Sequence, residues 1–249
     1  MSGHSKWSTI KHKKAAQDAK RGKLFTKLIK ELTIAAKLGG GDVDGNPRLR
    51  SAVTAARTAN MPADNVKRAI QKGTDELPGV SYEEVIYEGY GPGGVAILIE
   101  TLTDNRMRTT PEIRHLFTKH HGSMAEPNSV AWMFQKRGRL TIPVTSTTEE
   151  QLLEIALKAG AEDLEQQHDQ FEVSTTPEAF HAVQEALEAA GVKVGEAGLV
   201  MEPQNTVTLA GQKAEQCLKL LDVLEDQDDA QNVWANLEID ADELESSTG

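Results

Sequence analysis

The spacing of apolar residues changes at Leu77–Pro78–Gly79, and this change divides the chain into a helical segment and a mixed segment. Before the turn, apolar residues recur at helical spacing, as in Lys23–Leu38 and Asn46–Ala59. After it, the short apolar runs Glu84–Tyr90 and Gly94–Thr103 are joined by Gly91–Pro92–Gly93, as two neighbouring strands commonly are. We therefore predict an α+β multidomain protein that begins with a helical domain.

A run of elements in the second half of the chain is complete in itself. Residues 139–204 have the order βαββαβ, which is that of a ferredoxin-like fold. The elements on either side of this run also form two strand–helix–strand units once they are joined. We therefore predict two ferredoxin-like α+β domains, the second inserted into the first. The predicted division is a basic helical domain at 1–79, an α+β domain at 80–138 plus 205–239, an inserted domain at 139–204 and an acidic tail at 240–249.

Three further element predictions concern the flanking α+β domain. A helix is predicted from about Pro111 to Lys119. Apolar runs predict a strand over Ser129–Phe134 and another over Asn232–Ile239.

Charge is distributed unevenly along the chain. Residues 1–72 contain 16 Lys and Arg against 5 Asp and Glu, whereas residues 73–249 contain 11 against 33. The net charge of −11 therefore conceals a basic N-terminal part. Such asymmetry predicts a polyanionic partner for the basic part.

The sharpest candidate site is a row of lysines on the helix predicted over Lys23–Leu38. This lysine row consists of Lys23, Lys27, Lys30 and Lys37. The four residues fall within an arc of roughly 80° and extend over about 21 Å of helix, while apolar residues occupy the opposite side. Lysine contacts phosphate as a point charge and reads base edges poorly, so we predict nucleic-acid binding dominated by the phosphate backbone. A solvated helix face is the alternative, although such faces usually mix charges of both signs.

Other basic residues extend this candidate site, and a second one lies further along the chain. The additional nucleic-acid-binding candidates are Lys6, Lys11, Lys13, Lys14, Lys20, Arg21, Arg48, Arg50 and Arg57. Arg106 and Arg108 follow a turn that leads into a helix, where backbone N–H groups and the two side chains could hold a phosphate. Surface ion pairs between Asp104 and these arginines are an equally good interpretation.

No motif predicts a catalytic residue, a metal or a cofactor. Gly89–Gly94 matches G-x-G-x-x-G, but a strand follows it instead of a helix, so a hairpin turn is the better interpretation. The histidines at 115, 120 and 121 lack a metal-ligand pattern. No apolar run approaches the roughly 20 residues of a membrane span. Cys217 is the only cysteine, which is typical of a cytoplasmic protein without disulfides.

Several long motifs resemble the YebC family. They are Gly3–Trp7, Lys13–Lys23, Ala35–Gly40, Asn46–Arg50, Asn60–Pro62, Tyr87–Gly94 and Thr103–Arg106. This family includes bacterial proteins named probable transcriptional regulators and a mitochondrial activator of translation. The resemblance implies a helical N-terminal domain followed by two α+β domains, and it implies DNA binding for some members. It also implies that the basic residues from Lys6 to Lys27 form the family's N-terminal basic signature.

Three functions are compatible with these features. We favour a DNA-binding transcriptional regulator. An RNA- or ribosome-binding translation factor is the close alternative, because both polymers present the same phosphate and differ in the 2′-OH and in groove shape. A protein-interaction scaffold built on the ferredoxin-like domains is an alternative of another class.

Overall fold

The computed structural model describes the backbone of residues 17–239 and the side chains from residue 22 onward. Within this range the protein is a mixed α/β structure with antiparallel sheets. Its helices are α1 (Gln17–Gly39), α2 (Pro47–Thr58), α3 (Ala63–Gly73), α4 (Arg106–Lys119), α5 (Glu149–Ala159), α6 (Phe180–Ala189) and α7 (Gly211–Glu225). Its strands are β1 (Glu83–Tyr90), β2 (Ala96–Thr103), β3 (Ser123–Met124), β4 (Phe134–Pro143), β5 (Ala161–Gln167), β6 (Gln170–Thr175), β7 (Ala197–Pro203), β8 (Val207–Leu209), β9 (Ala230–Ala235) and β10 (Leu237–Ile239).

The described residues form two compact units. Phe134–Glu202 make up one, which we call the inserted unit. The residues on either side of it make up the other, the flanking unit, which contains the helical segment and the first α+β segment. The finer division of the flanking unit into two domains stays a prediction.

Helices α1, α2 and α3 pack around a core of alanine and aliphatic side chains. The buried members are Leu32, Ala35, Ala36, Leu49, Ala52, Val53, Ala56, Met61 and Ala69. Asn46 joins two of the helices: its side-chain oxygen accepts from the Leu49 N–H at the start of α2, and its amide donates to Ala35 and Gly40 carbonyls at the end of α1. One buried side chain thus caps the start of α2 and joins it to the end of α1.

The main sheet of the flanking unit has the strand order β3–β1–β2–β9. Helices α4 and α7 cover one of its faces, where Val85, Ile97 and Ile99 meet Phe117 and Leu220. In a ferredoxin-like sheet, the first and third strands are the central neighbours. Here the central strands, β1 and β2, are an antiparallel hairpin, and β8 pairs in parallel with β10 in a separate sheet. The strand order of this unit therefore differs from the predicted ferredoxin-like order.

The inserted unit has the strand order β5–β6–β4–β7. Its first and third strands, β4 and β6, are central and antiparallel, as a ferredoxin-like arrangement requires. Helices α5 and α6 pack on the sheet through a core that includes Leu140, Leu152, Val173, Phe180 and Val183.

The strand predicted over Ser129–Phe134 is wrong in most of its length. Ala131–Met133 form a 3-10 turn, and β4 begins only at Phe134. The cause is Glu88, a buried carboxylate that accepts the N–H groups of Asn128, Val130 and Ala131 at 2.6, 2.6 and 2.8 Å. Donors used in this way cannot take part in a sheet ladder.

Two other boundaries differ from prediction. Helix α4 begins at Arg106 instead of Pro111, because the side chain of Asn105 caps it by accepting from the Arg108 N–H. The strand predicted over Asn232–Ile239 is divided at Asn236, whose side-chain oxygen accepts from the Ala96 N–H at 2.7 Å.

Candidate nucleic-acid interface

The lysine row of α1 faces the C-terminal end of α7. Lys23 and Lys27 each donate to a main-chain carbonyl oxygen at 3.0 Å, that of Asp226 and that of Glu225 respectively. Lys30 donates to the carbonyl oxygen of Asp228 at 2.9 Å. The last carbonyl groups of a helix lack partners within the helix and carry the negative end of its dipole. Lys27 therefore satisfies the carbonyl of the last residue of α7, and Lys23 satisfies that of the C-cap residue. Lys30 contacts the chain just beyond the helix.

Lys30 makes the strongest of these contacts. Its ammonium group lies 2.6 Å from a carboxylate oxygen of Asp229, and the residues are only 7% and 1% exposed. The other carboxylate oxygen of Asp229 accepts from the Thr109 hydroxyl at 2.6 Å and from the Arg108 guanidinium at 2.7 Å. Both oxygens of this buried carboxylate are thus hydrogen-bonded, as burial of a charge requires.

The contacts of Asp229 determine its protonation. Burial alone would raise the pKa of this carboxyl group. Hydrogen bonds from Lys30, Thr109 and Arg108, together with the positive charge of Lys30, outweigh burial and lower the pKa from 3.8 to about 2. Asp229 is therefore ionised at neutral pH and holds two cations from different elements.

The lysine row is only partly open to solvent, since Lys23 and Lys37 are exposed and the other two lysines are not. Lys30 is buried, Lys27 is partly buried, and Lys37 donates to the Ser81 hydroxyl at 2.5 Å. Lys23 is 46% exposed and also contacts the Asp226 carboxylate at 3.2 Å. The four lysines do lie on one side of α1, but acceptors from distant parts of the chain already occupy them. Whether they bind nucleic acid stays a prediction.

The predicted basic residues of α2 differ in their surroundings. Arg48 forms ion pairs with Glu31 and Glu84, and hydrogen bonding to Glu31 is the main cause that raises its pKa. Arg50 donates to the carbonyl oxygens of Val43 and Asp44. Arg57 is exposed and has no ion pair with another described residue.

At the second predicted phosphate site, the ion-pair interpretation holds for one arginine. Arg108 pairs with Asp104 at 3.0 Å and with Asp229 at 2.7 Å. Arg106 is exposed at the start of α4 and makes no ion pair with any described residue. Phosphate binding by these two residues stays a prediction.

Several candidates lie outside the described residues. They are Lys6, Lys11, Lys13 and Lys14, together with the side chains of Lys20 and Arg21.

Sequence reasoning missed three basic residues on α3. Lys67, Arg68 and Lys72 are exposed, and none has an ion pair with another side chain in the described part of the chain. With Arg57 at the end of α2, they are exposed cations of the described helices, and none of them has an ion pair with another described residue. The helical spacing of α3 contains the signal that could have identified them, because it puts these residues away from the face on which Ala69 is buried.

Neither a metal cluster nor a membrane-spanning helix occurs in the described part of the chain. Within it, no group of three or more His, Cys, Asp or Glu side chains is arranged to hold a metal ion. No helix among these residues is long and apolar enough to cross a membrane.

Comparison with known proteins covers almost the whole chain. Residues 5–76 match the model of the TACO1/YebC protein N-terminal domain, and residues 82–237 match that of the TACO1/YebC second and third domain. A probable transcriptional regulatory protein of Geobacter sulfurreducens is 59% identical over 245 residues, which are 98% of this chain and 99% of that protein. A protein of the same name from Desulfatibacillum aliphaticivorans is 57% identical over 244 residues, with the same coverage of 98% and 99%.

A solved structure is similar as well. The crystal structure of a conserved hypothetical protein from Aquifex aeolicus superposes with a TM-score of 0.83 at 46% identity. The match covers 91% of this chain and 94% of that one. The family motifs, both domain models and these relatives agree, and the chain belongs to the TACO1/YebC family.

Proposed function

We propose that the protein is a nucleic-acid-binding regulator of gene expression that acts in the cytoplasm, with DNA as the favoured partner. The observation that carries the proposal is the group of exposed cations on the helical segment, Arg57, Lys67, Arg68 and Lys72, which have no ion pair among the described residues. The names of its relatives, probable transcriptional regulatory proteins, support the regulatory part of the proposal.

The chemistry of these cations favours contact with the phosphate backbone. Each phosphate that a lysine or arginine neutralises releases counterions, and the release drives binding without regard to sequence. Lys6, Lys11, Lys13 and Lys14 add further positive charge to the N-terminal part of the chain, and each phosphate that they neutralised would strengthen binding. Sequence preference should therefore be modest, since backbone contacts position a protein without reading bases.

A translation factor that binds RNA or the ribosome is the second candidate. The same cations serve it equally well, because phosphate is common to DNA and RNA. A protein-interaction scaffold is a further candidate, for which the sheet surface of the inserted unit would be the docking face. Binding measured with both a DNA and an RNA probe separates the first two candidates.

The test replaces Lys67, Arg68 and Lys72 together by Glu. The matched control replaces three exposed lysines elsewhere in the chain, Lys158, Lys193 and Lys213, by Glu. Fluorescence anisotropy measures the binding of a duplex DNA and of a single-stranded RNA of matched length, between about 50 and 200 mM salt. Tighter binding of the duplex supports DNA as the partner, and tighter binding of the RNA supports the translation factor.

We expect the α3 variant to bind at least about tenfold more weakly. Its log–log salt slope should be flatter by roughly 0.7–0.9 for each phosphate that the variant no longer neutralises. The control variant should retain most of the wild-type affinity. If the wild-type protein binds neither polymer, the proposed function is wrong. If it binds and the α3 variant binds equally well, the proposed surface is wrong.

A further inference from the structure

One short acidic segment contacts members of both basic clusters that the sequence predicts to bind phosphate, three of the four lysines and one of the two arginines. The segment is Glu225–Asp226–Gln227–Asp228–Asp229, at the end of α7 and before β9. It accepts hydrogen bonds from Lys23, Lys27, Lys30 and Arg108. Cations from two separate elements, α1 and α4, thus converge on five residues of acidic chain.

The acceptors of this segment resemble those of a phosphate backbone. Carbonyl oxygens at the negative end of a helix dipole and carboxylate oxygens offer several closely placed acceptors for ammonium groups. Nucleic-acid phosphates offer acceptors of the same kind to lysine side chains. A lysine held by one is not free to contact the other.

The contacts weaken from one end of the row to the other. The Lys30–Asp229 pair is buried, and a buried pair is costly to break. At the other end, the side chains of Lys23 and Asp226 are 46% and 66% exposed. An ion pair with this exposure contributes little to stability and is screened by salt. Lys23 and Lys27 can therefore leave the segment while Lys30 keeps α1 attached.

We propose that the acidic segment is an internal competitor of nucleic acid, which occupies Lys23 and Lys27 until phosphates displace it. The proposal rests on the proposed function for the class of ligand. It assigns different roles within the row: Lys23 and Lys27 form a covered part of the nucleic-acid surface, and Lys30 is the anchor that keeps the competitor in place.

The test is a double-mutant cycle. One arm replaces the exposed acids Asp226 and Asp228 by Asn, the other replaces Lys23 and Lys27 by Gln, and a fourth protein carries all four changes. Full-length proteins are titrated with a duplex DNA and with a single-stranded RNA of matched length. Glu149 and Glu150, two exposed acids of the inserted unit, are replaced by Gln in a control with the same change in charge.

Competition predicts coupling between the two arms. In the wild-type background, K23Q/K27Q should weaken binding less than about twofold, because these lysines are already occupied. In the D226N/D228N background, the same change should weaken binding at least about fivefold. D226N/D228N removes the carboxylate partner of Lys23 and the negative charge beside Lys27, whose carbonyl acceptor remains. This variant alone should bind more tightly and have a salt slope steeper by roughly 0.7–0.9, for the release of Lys23. The E149Q/E150Q control should show neither the coupling nor the steeper slope.

Additive effects would overturn the proposal, since long-range repulsion by the acids changes affinity equally with or without the two lysines. The reactivity of Lys23 toward acetylation, measured by mass spectrometry without nucleic acid, is a second readout. It should rise in D226N/D228N, because this variant lacks the carboxylate partner of Lys23. Unchanged reactivity would also contradict the proposal. If the wild-type protein binds through α3 but the cycle is additive, the competition fails while the proposed function stands.

Discussion

The ammonium group of Lys30 lies 2.6 Å from a carboxylate oxygen of Asp229, 199 residues further along the chain. Both residues are almost completely buried, and the second carboxylate oxygen is hydrogen-bonded to Thr109 and Arg108. Because both oxygens of the carboxylate are hydrogen-bonded, the attraction within the pair can offset much of the cost of removing two charges from water. The pair connects α1 to the chain that leads into β9.

Replacement of Lys30 by Ala should destabilise the protein by about 3–5 kcal/mol, because it leaves Asp229 buried without its closest cation. Urea unfolding measures the change in the free energy of unfolding. Lys23→Ala is the control, since the exposed Lys23–Asp226 pair should be worth at most about 1 kcal/mol. Equal losses of unfolding free energy in the two variants would show that burial does not strengthen the Lys30–Asp229 pair.

Replacement of Lys23, Lys27 and Lys30 together by Glu should disrupt the fold, because it puts a negative charge beside the buried Asp229. A lysine row that was fully open to solvent would predict a folded variant.

The low pKa of Asp229 predicts a dependence of stability on acid. Its folded-state pKa, about 2, lies below the ordinary value of 3.8, so the ionised carboxylate stabilises the folded protein. This contribution, about 2 kcal/mol, is present in full above roughly pH 5 and is lost as the pH falls through the folded-state pKa. The difference in unfolding free energy between the wild type and Asp229→Asn should shrink by this amount as the pH is lowered from about 5 to about 2. A constant difference over this range would contradict the assignment.

Glu88 should control the order of the loop that precedes β4. Its carboxylate accepts three backbone N–H groups, and an amide in its place would turn a donor toward at least one of them. We expect Glu88→Gln to cost about 1–3 kcal/mol and to speed hydrogen exchange at Asn128, Val130 and Ala131. Glu126→Gln, at an exposed position in the same loop, should leave the exchange unchanged. Equal exchange in both variants would show that Glu88 does not hold the loop.

The thiol of Cys217 should be unreactive in the folded protein. The residue lies on the buried face of α7 and is fully buried, and burial raises the pKa of its thiol to about 12. The reactive thiolate is therefore scarce near neutral pH. A thiol reagent should modify the native protein at least about 100-fold more slowly than the urea-unfolded one. Because the chain contains no other cysteine, rapid reaction of the native protein would directly contradict this burial.

Local features of the fold were accessible to prediction because neighbouring residues produce them. The helical spacing over Asn46–Ala59 is an example: helix α2 confirms it, and the side chain of Asn46 accepts from the Leu49 N–H at its start. The strand over Ser129–Phe134 failed for the opposite reason. Its N–H groups bind Glu88, about 40 residues earlier in the chain, and no local pattern shows that contact.

For the candidate site, the sequence predicted the position of the lysines on α1 but not their accessibility. Helical spacing places Lys23, Lys27, Lys30 and Lys37 on one side of α1. In the structure, the first three contact residues 225–228 and the fourth contacts Ser81. Spacing along one helix cannot show what lies opposite that side. The density of lysine in the sequence is highest in and before α1, but the cations of α3 are the more exposed ones, because accessibility depends on packing.

The sequence by itself determined the helical segment, the succession of helices and strands after it, the contrast between a basic beginning and an acidic remainder, and the family. These properties depend on residue type and on short spacing, which the chain carries before it folds. Only the tertiary structure decided which cations remain accessible. That choice depends on which acceptors the fold brings close, and the acceptor of Lys30 lies at Asp229, far along the chain. A charge is available to a partner only where folding has not already supplied its counter-charge.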